Sequence, residues 1–178
     1  MSRSVICISR TTGAAGEELA KIVADKLGFR YVDEEIVTRA AELAGVSPGV
    51  IAESERAGES TSYTPLIEQV IRETAEQGDV VIVAHGASIP LAGRSDVLRV
   101  LVTASPETRA RRLVSDGEMD DAGARRAIEE SDRARASYLE RFYEVGKELP
   151  THYDVTVNTE TMTIARAARL VMQAALTL

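Results

Sequence analysis

The sequence predicts an α/β protein built on a doubly wound parallel sheet of about five strands with flanking helices. Short apolar runs rich in β-branched residues recur along the chain, which is typical of strands that are buried on both faces. Between these runs lie longer segments in which apolar residues recur at helical spacing. Strands that alternate with helices in this way favour a parallel sheet with right-handed crossovers.

Composition limits the classes of protein to which the chain can belong. Its 178 residues, 44% hydrophobic and 28% charged, are typical of one globular domain. A net charge of −7 argues against a nucleic-acid partner, and the single cysteine, Cys7, excludes an internal disulfide. No apolar run reaches the length of a membrane span, and the four apolar residues after Ser4 are too few for a secretory signal. We therefore expect a cytoplasmic protein without a membrane partner, as a monomer or homodimer.

The first strand–turn–helix unit is the main candidate for a binding loop. Val5–Ile8 form the predicted strand, Gly13 and Gly16 interrupt a short loop, and a helix begins at Glu17 and ends at Gly28. Such a loop directs backbone N–H groups and a helix N-terminus towards one point, which attracts anions, usually phosphate. An ordinary strand-to-helix turn is the alternative interpretation.

This loop departs from the standard phosphate-binding signature G-x-x-x-x-G-K-[ST]. Its four defined positions hold Arg10, Ala15, Gly16 and Glu17, so both the phosphate-binding lysine and the magnesium-binding hydroxyl are missing. Arg10 or Lys21 could supply the missing positive charge. Glu17 and Lys21 are four residues apart, however, and could simply pair with each other.

The remaining elements follow in order. The later strands are predicted at 29–32, 79–84, 97–103 and 153–157, and the later helices at 34–44, 50–57, 65–77, 106–115, 122–145 and 161–175. The third strand is the most continuous β-branched run, so we expect it at the centre of the sheet. Thr64 and Ser105, each followed by proline, are expected to cap their helices. The longest helix is expected to place its apolar residues on one side, towards the core: Ala124, Ala127, Ile128, Ala134, Tyr138, Phe142 and Val145.

In parallel sheets of this kind, ligands bind beyond the carboxyl ends of the strands. Four features are predicted to meet at that edge: the loop at 13–16, Asp33, His85 and the start of the helix that carries Arg109. Asp33 and His85 each follow a predicted strand directly. We therefore interpret both as candidate substrate-binding residues.

Four separated segments agree with one family. They are I-S-R-T-T-G-A-A-G-E-E-L-A, V-I-V-A-H-G-A, L-V-T-A-S-P-E-T-R-A-R-R-L, and E-S-D-R-A-R-A-S-Y followed by Y-D-V-T-V-N-T. With these segments the chain resembles the cytidylate-kinase-like family of P-loop nucleoside monophosphate kinases, from Val5 to about Val171. The resemblance implies one P-loop kinase-like domain over 1–178 with a helical lid. It places a monophosphate-binding helical insert at about 34–78 and a lid loop at about 113–123.

The resemblance also implies a reaction, which is transfer of the γ-phosphoryl group of ATP, with Mg²⁺, to a nucleoside monophosphate such as CMP or dCMP. Arg109 and Arg112 are then the catalytic arginines of the lid. The implied acceptor-binding residues on the long helix are Asp132, Arg133 and Arg135. The implied donor-binding residues are Arg10, Thr11, Thr12, Gly13, Ala14, Ala15, Gly16 and Glu17. No residue is assigned to a metal.

Several positions depart from the family pattern. Ala15 replaces a loop glycine, Glu17 and His85 stand where arginines are usual, and Gly86 stands where the true enzymes have an aspartate. These changes favour a second hypothesis, a nucleotide-binding or regulatory protein on the same fold that no longer catalyses. A kinase for another small phosphate acceptor is a third.

The charged residues also have simpler structural interpretations. Arg109 and Arg112 could form a solvated face paired with nearby carboxylates, namely Asp116, Glu118 and Asp120. Asp132 and Arg135 are three residues apart and could form an ion pair on the helix surface.

Overall fold

The computed structural model describes residues 4–57, 63–84, 86–117 and 119–177, with only the backbone of 55–57. Over these residues the chain forms five parallel strands and seven α-helices. The predicted substrate residue His85 lies outside the described residues. Within the described part, no helix is both long and apolar enough to cross a membrane.

The five strands form one parallel sheet in the order β2-β3-β1-β4-β5. Their bounds are β1 Val5–Arg10, β2 Arg30–Val32, β3 Val80–Val83, β4 Val97–Thr103 and β5 Val155–Asn158. The third strand is an interior strand as predicted, paired with β2 and β1, but the middle of the sheet is β1, which pairs with β3 and β4. Both β1 and β3 are almost fully buried, so apolar character alone does not separate them.

Seven helices flank the sheet. They are α1 Gly16–Leu27, α2 Glu35–Ala44, α3 Pro48–Ala57, α4 Thr64–Glu76, α5 Pro106–Ser115, α6 Asp121–Tyr143 and α7 Ile164–Thr177. The predicted insert at 34–78 therefore contains α2, α3 and α4. The predicted lid loop at 113–123 spans the end of α5, a short connection and the start of α6.

The predicted helix ends are partly correct. Gly28 ends α1 in the left-handed conformation, at φ +71°. Ser105 caps α5, because its hydroxyl accepts a hydrogen bond from the Thr108 N–H at 3.2 Å. The capping role predicted for Thr64 is wrong, because Thr64 is already the first residue of α4 and Tyr63 precedes it with helical backbone angles. The last helix begins at Ile164 instead of residue 161.

Alternate residues along each strand pack into two separate cores, as the strand repeat requires. On one face α1 and α7 pack on the sheet through Leu19, Val23, Ala168 and Val171, which surround Ile6, Ile8, Val81, Leu98 and Val100. On the other face α2 and α4 pack through Ile36, Val70 and Ile71, which surround Val5, Cys7, Val80, Ile82 and Val97. The carboxyl ends of the strands remain open between these layers.

The long helix α6 buries the predicted face only in its first half, where Ala124 and Ile128 are buried as expected. Its buried residues are Ala124, Ile128, Arg135 and Leu139. Ala134 and Tyr138, which were expected in the core, line a cleft instead. In the second half of the helix, Arg135 and Leu139 take the buried positions instead, and Arg135 is paired there with Glu148.

Candidate active site

The loop between β1 and α1 has an unusual backbone. Gly13 and Ala15 both have positive φ, at +78° and +61°. A left-handed alanine costs about 1–2 kcal/mol, so the surrounding contacts must hold it there. The N–H groups of Gly13 and Ala15 have no hydrogen-bond partner among the described residues. The loop therefore presents backbone donors, as an anion-binding nest does.

The loop is held from one side through three successive carbonyls. The Thr12 carbonyl accepts from Arg109 Nη1 at 3.3 Å, and the Gly13 carbonyl accepts from Arg112 Nη1 at 3.2 Å. The Ala14 carbonyl accepts from Thr159 Oγ1 at 3.0 Å. In a trans peptide the carbonyl and the next N–H point in opposite directions. These bonds therefore turn the N–H groups of the loop away from α5.

Arg109 is committed to contacts within the protein. Its side chain is 4% exposed, its Nε donates to the Ala104 carbonyl at 3.1 Å, and its two terminal nitrogens bind both oxygens of Asp132. The suggested pairing of Arg109 with acidic residues after α5 is wrong, because its carboxylate partner lies on α6. The catalytic role that the resemblance implies for Arg109 stays a prediction.

Arg112 is held in a similar way. Its Nη1 donates to Thr159 Oγ1 at 3.0 Å and its Nη2 to the Thr159 carbonyl at 2.6 Å, in addition to the bond to Gly13. Thr159 follows β5 and is fully buried. Sequence reasoning missed this residue, because a lone threonine after a strand carries no distinctive signal.

A cleft of about 640 Å³ opens at the carboxyl ends of the strands, between α6 on one side and α2 and α4 on the other. It brings together seven of the predicted site residues, namely Arg10, Thr11, Thr12, Glu17, Asp33, Asp132 and Arg135. The predicted residue Arg133 is exposed on α6 and is not part of its lining. Among the described residues no group of three His, Cys, Asp or Glu side chains comes together as a protein metal site would require.

Four further residues of α6 line this cleft and were not predicted as site residues: Ser131, Ser137, Tyr138 and Arg141. Together with Ala134 they recur at intervals of three and four, which is the spacing of one helix face. The sequence therefore contained a signal for them.

Arg135 forms a buried network below the cleft. Its Nε donates to Glu148 Oε2 at 2.9 Å and its Nη2 to Glu148 Oε1 at 2.6 Å. The Tyr153 hydroxyl also donates to Glu148 through a short hydrogen bond. Burial alone would raise the pKa of Glu148, but the hydrogen bond and charge of Arg135 lower it below its ordinary value. The suggested surface pair between Asp132 and Arg135 is thus wrong, since each has another partner.

Arg10 and Glu17 form an ion pair across the start of α1. Arg10 Nε and Nη2 both lie 2.6 Å from Glu17 Oε1. The suggested pair between Glu17 and Lys21 is wrong, because Lys21 Nζ lies over the Tyr31 ring, 5.6 Å from its centroid.

Gly86 packs against the end of α6. A Cβ atom at this position would lie 2.7 Å from Tyr143 Cε2, and the backbone has φ +73°. Tyr143 belongs to a group of rings with Tyr138 and Phe142, in which the Tyr138 centroid lies 5.9 Å and 4.9 Å from the other two. The space that an aspartate side chain would need at position 86 is therefore filled by an aromatic ring.

A second, smaller cleft of about 330 Å³ lies on the other side of the loop. Its lining residues are Ala15, Glu18, Arg112, Asp116, Met162, Thr163 and Ile164. The binding loop and the first turn of α1 therefore border two clefts, one beside α6 and one beside the start of α7.

Comparison with known proteins identifies similar sequences and folds. A model of the cytidylate kinase-like family matches residues 5–161. Cytidylate kinases of Methanoculleus marisnigri and Methanopyrus kandleri are each 27% identical, with 88% and 92% of this chain and 85% and 92% of theirs covered. An uncharacterized protein of Eubacterium ventriosum has a similar structure, with TM-score 0.79, 17% identity, and 97% and 98% of the two chains covered. Shikimate kinase of Bacteroides thetaiotaomicron shares the fold, with TM-score 0.60, 16% identity and 96% of both chains covered.

Proposed function

Because the chain belongs to the cytidylate kinase-like family, we propose that it transfers the γ-phosphoryl group of ATP to a nucleoside monophosphate, with CMP and dCMP as the preferred acceptors. The observation that carries this proposal is that one cleft joins the start of the loop to Asp33, Asp132 and Arg135, residues predicted to bind the acceptor. A phosphoryl transfer needs a donor and an acceptor that meet at one point in line. The relatives named cytidylate kinase support a kinase-like function for this chain.

The residues of the loop fit the donor phosphates. The N–H groups of Gly13 and Ala15 have no partner among the described residues, and the N-terminus of α1 follows directly. Mg²⁺ is usually held by one or two carboxylates together with substrate phosphates, and Glu17 and Asp33 line the larger cleft. When bound, Mg-ATP supplies the phosphoryl group and offsets its negative charge.

Asp132 is the residue that we propose to read the base of the acceptor. Both of its oxygens accept from Arg109, but a carboxylate has about four acceptor positions. Its side chain is 40% exposed and lines the cleft, so it can also accept from the exocyclic amine of cytosine. Uracil presents a carbonyl oxygen at that place, which would face the carboxylate without a proton between them. This mismatch favours CMP over UMP.

Arg109 and Arg112 contribute in this proposal by orienting the loop. Arg109 holds the Thr12 carbonyl and so directs the Gly13 N–H towards the donor phosphates. Arg112 donates to Thr159 Oγ1, which in turn donates to the Ala14 carbonyl and so orients the Ala15 N–H. A direct contact of either guanidinium with the transferred group would require some of these bonds to be exchanged. Preorganised donors of this kind need no rearrangement at the moment of reaction.

One observation favours the second hypothesis, a nucleotide-binding protein that no longer catalyses. Among the described lining residues of the larger cleft, the carboxylates outnumber the arginines: Glu17, Asp33, Glu34 and Asp132 face Arg10, Arg135 and Arg141. This balance leaves little positive charge to stabilise the transferred phosphoryl group in the transition state. The same clefts would then bind nucleotide without turnover.

A coupled assay of ADP formation from Mg-ATP separates these hypotheses, with CMP, dCMP, UMP and AMP as acceptors. We expect turnover with a ratio of kcat/KM for CMP over UMP of about tenfold or more. Asp132→Asn should reduce that ratio, whereas Glu130→Gln, an exposed carboxylate change on the same helix, should not. The ratio is independent of the fraction of folded enzyme. ATP binding without phosphoryl transfer to any of these acceptors would support the second hypothesis, a nucleotide-binding protein that no longer catalyses.

A further inference from the structure

The stem of Arg10 occupies the space beside Gly16. A Cβ atom at position 16 would lie 2.4 Å from Arg10 Cβ and 2.8 Å from Arg10 Cγ. The φ of Gly16 is not positive, so the close approach of Arg10, and not the backbone conformation, requires glycine here. In the standard signature this position is the lysine. A lysine at 16 and an arginine at 10 are therefore mutually exclusive in this arrangement.

The charged end of Arg10 lies at the start of α1. The side chain is 23% exposed and lines the larger cleft. Both contacts with Glu17 go to a single carboxylate oxygen, Oε1, and Glu17 is itself about half exposed. Glu17 stands where the signature has its magnesium-binding hydroxyl. One cation and one oxygen ligand thus lie next to each other, as the lysine and the hydroxyl do in the standard motif.

We propose that Arg10 and Glu17 together replace the missing lysine and hydroxyl: Arg10 binds the donor phosphates and Glu17 binds the accompanying Mg²⁺. This inference rests on the proposed function, because it assigns roles within the same donor site. In the free protein the two side chains neutralise each other. Mg-ATP brings an anion for Arg10 and a cation for Glu17, so both charges exchange partners together.

The chemistry of both groups suits these roles. A guanidinium can bind two phosphate oxygens through parallel hydrogen bonds, which an ammonium cannot. A carboxylate is a hard oxygen ligand and binds Mg²⁺ more readily than a hydroxyl does. The pair is open to solvent on the Glu17 side, and solvent-accessible ion pairs contribute about 1 kcal/mol or less, so its separation does not oppose ligand binding strongly. Lys21 does not compete for the cation role, because it lies over Tyr31.

Titration calorimetry with ATP, in EDTA and in Mg²⁺, tests the two roles separately. Arg10→Met keeps the stem over Gly16 and removes the charge, so it should weaken ATP binding about tenfold in both conditions. Glu17→Gln should bind ATP in EDTA at least as tightly as the wild type, because Arg10 is released. It should also lose most of the tightening that Mg²⁺ gives to the wild type.

The ion pair between Arg30 and Glu35 supplies the controls, since it is also solvent-accessible and lies at the opposite end of the strands, at the start of β2. Arg30→Met and Glu35→Gln should leave ATP binding and its response to Mg²⁺ unchanged. Full Mg²⁺ tightening in Glu17→Gln, or wild-type affinity in Arg10→Met, would overturn the inference while leaving the proposed function standing. If both variants bind ATP as expected but the wild type transfers no phosphoryl group to any acceptor, the inference stands and the proposed function is contradicted. A wild-type protein that binds no ATP in either condition would remove both.

An exchange of the two cations adds a second test. Arg10→Gly clears the space beside Gly16, so the double variant with Gly16→Lys should recover most of the ATP affinity that Arg10→Gly loses. Gly16→Lys alone should lower the Tm, because its stem collides with Arg10. If the double variant binds ATP no better than Arg10→Gly, the two side chains do not serve the same purpose.

Discussion

Arg109 and Asp132 join α5 to α6 through two parallel hydrogen bonds, Nη1 to Oδ1 at 2.8 Å and Nη2 to Oδ2 at 2.6 Å. The arginine is almost fully buried, whereas the aspartate is partly open to the cleft. Among the described residues, Asp132 is the carboxylate that pairs with the buried guanidinium of Arg109. A residue that we propose to read the substrate is at the same time the partner that holds a buried cation.

Asp132→Asn should for this reason destabilise the fold as well as alter specificity. The variant leaves Arg109 without a charged partner, and we expect the free energy of unfolding to fall by about 1–3 kcal/mol. Urea denaturation at pH 7 measures the loss. Glu130→Gln, which changes an exposed carboxylate on the same helix, should cost almost nothing. Equal stability of the two variants would contradict the dependence of Arg109 on Asp132.

Gly13→Ala should destabilise the protein more than Gly28→Ala. Both glycines have positive φ, so both changes introduce the strain of a left-handed alanine, about 1–2 kcal/mol. A Cβ at position 13 would also lie 2.8 Å from the Arg109 carbonyl oxygen, whereas nothing lies within 4 Å at position 28. Thermal unfolding of both variants separates the collision from the strain. If the Tm of Gly13→Ala equals that of Gly28→Ala, the loop moves away from the Arg109 carbonyl without loss of stability, and the predicted collision is contradicted.

The network of Arg135, Glu148 and Tyr153 should make stability depend on pH. The pKa of Glu148 is lowered in the folded state, so its contribution is complete above the ordinary value of 4.5 and is lost as the pH falls through the folded pKa. At pH 7 we expect Glu148→Gln to cost about 3 kcal/mol, because it breaks a buried pair. The cost should shrink below pH 4.5. Glu140→Gln, an exposed change, should show no such dependence.

Tyr153 should add a separate dependence at high pH. Burial, together with the hydrogen bond to Glu148, raises its pKa from 10.0 to about 12. Its contribution is therefore complete below pH 10 and is lost as the pH rises towards 12. The free energy of unfolding of the wild type should fall more steeply over this range than that of Tyr153→Phe. If the free energies of unfolding of the two proteins fall in parallel as the pH rises, the raised pKa of Tyr153 is contradicted.

Glu160 should titrate far below an ordinary glutamate. Hydrogen bonds from the hydroxyl and the N–H of Ser105, and from Thr108, lower its pKa from 4.5 to about 2. Its stabilising contacts should persist above pH 4.5 and be lost as the pH falls towards 2. Carboxyl-detected NMR titration measures this pKa directly. Ser105 and Thr108 lie at the start of α5, and Glu107 lies in the first turn of that helix. Glu107→Gln therefore controls for a general effect of the helix N-terminus.

The sheet could be predicted from the sequence because its strands are short, buried and β-branched. The strand predicted at 97–103 is observed with those bounds, and the cap at Ser105 follows from a local pattern of serine, proline and glutamate. Such signals need only near neighbours in sequence. The order of equally buried strands does not have a local signal, which is why β1 and not β3 lies at the centre.

The ion pairs of the site could not be predicted in this way. Arg109 and Asp132 lie 23 residues apart on different helices. Reasoning from the sequence considered only partners that are close along the chain, so it suggested pairs that do not form. The residues on the cleft-facing side of α6 could have been predicted from the sequence, because Ala134 and Tyr138 recur at helical spacing. Spacing indicated one face correctly, but did not tell whether that face meets the core or a ligand.

The contact between Gly86 and Tyr143 has a consequence for related sequences. A side chain at 86 and the ring at 143 compete for one volume, so an aspartate at the first position and a bulky aromatic at the second should exclude each other among related sequences. In this chain Gly86→Asp alone should therefore fit poorly, whereas a smaller side chain introduced at 143 together with it should make room.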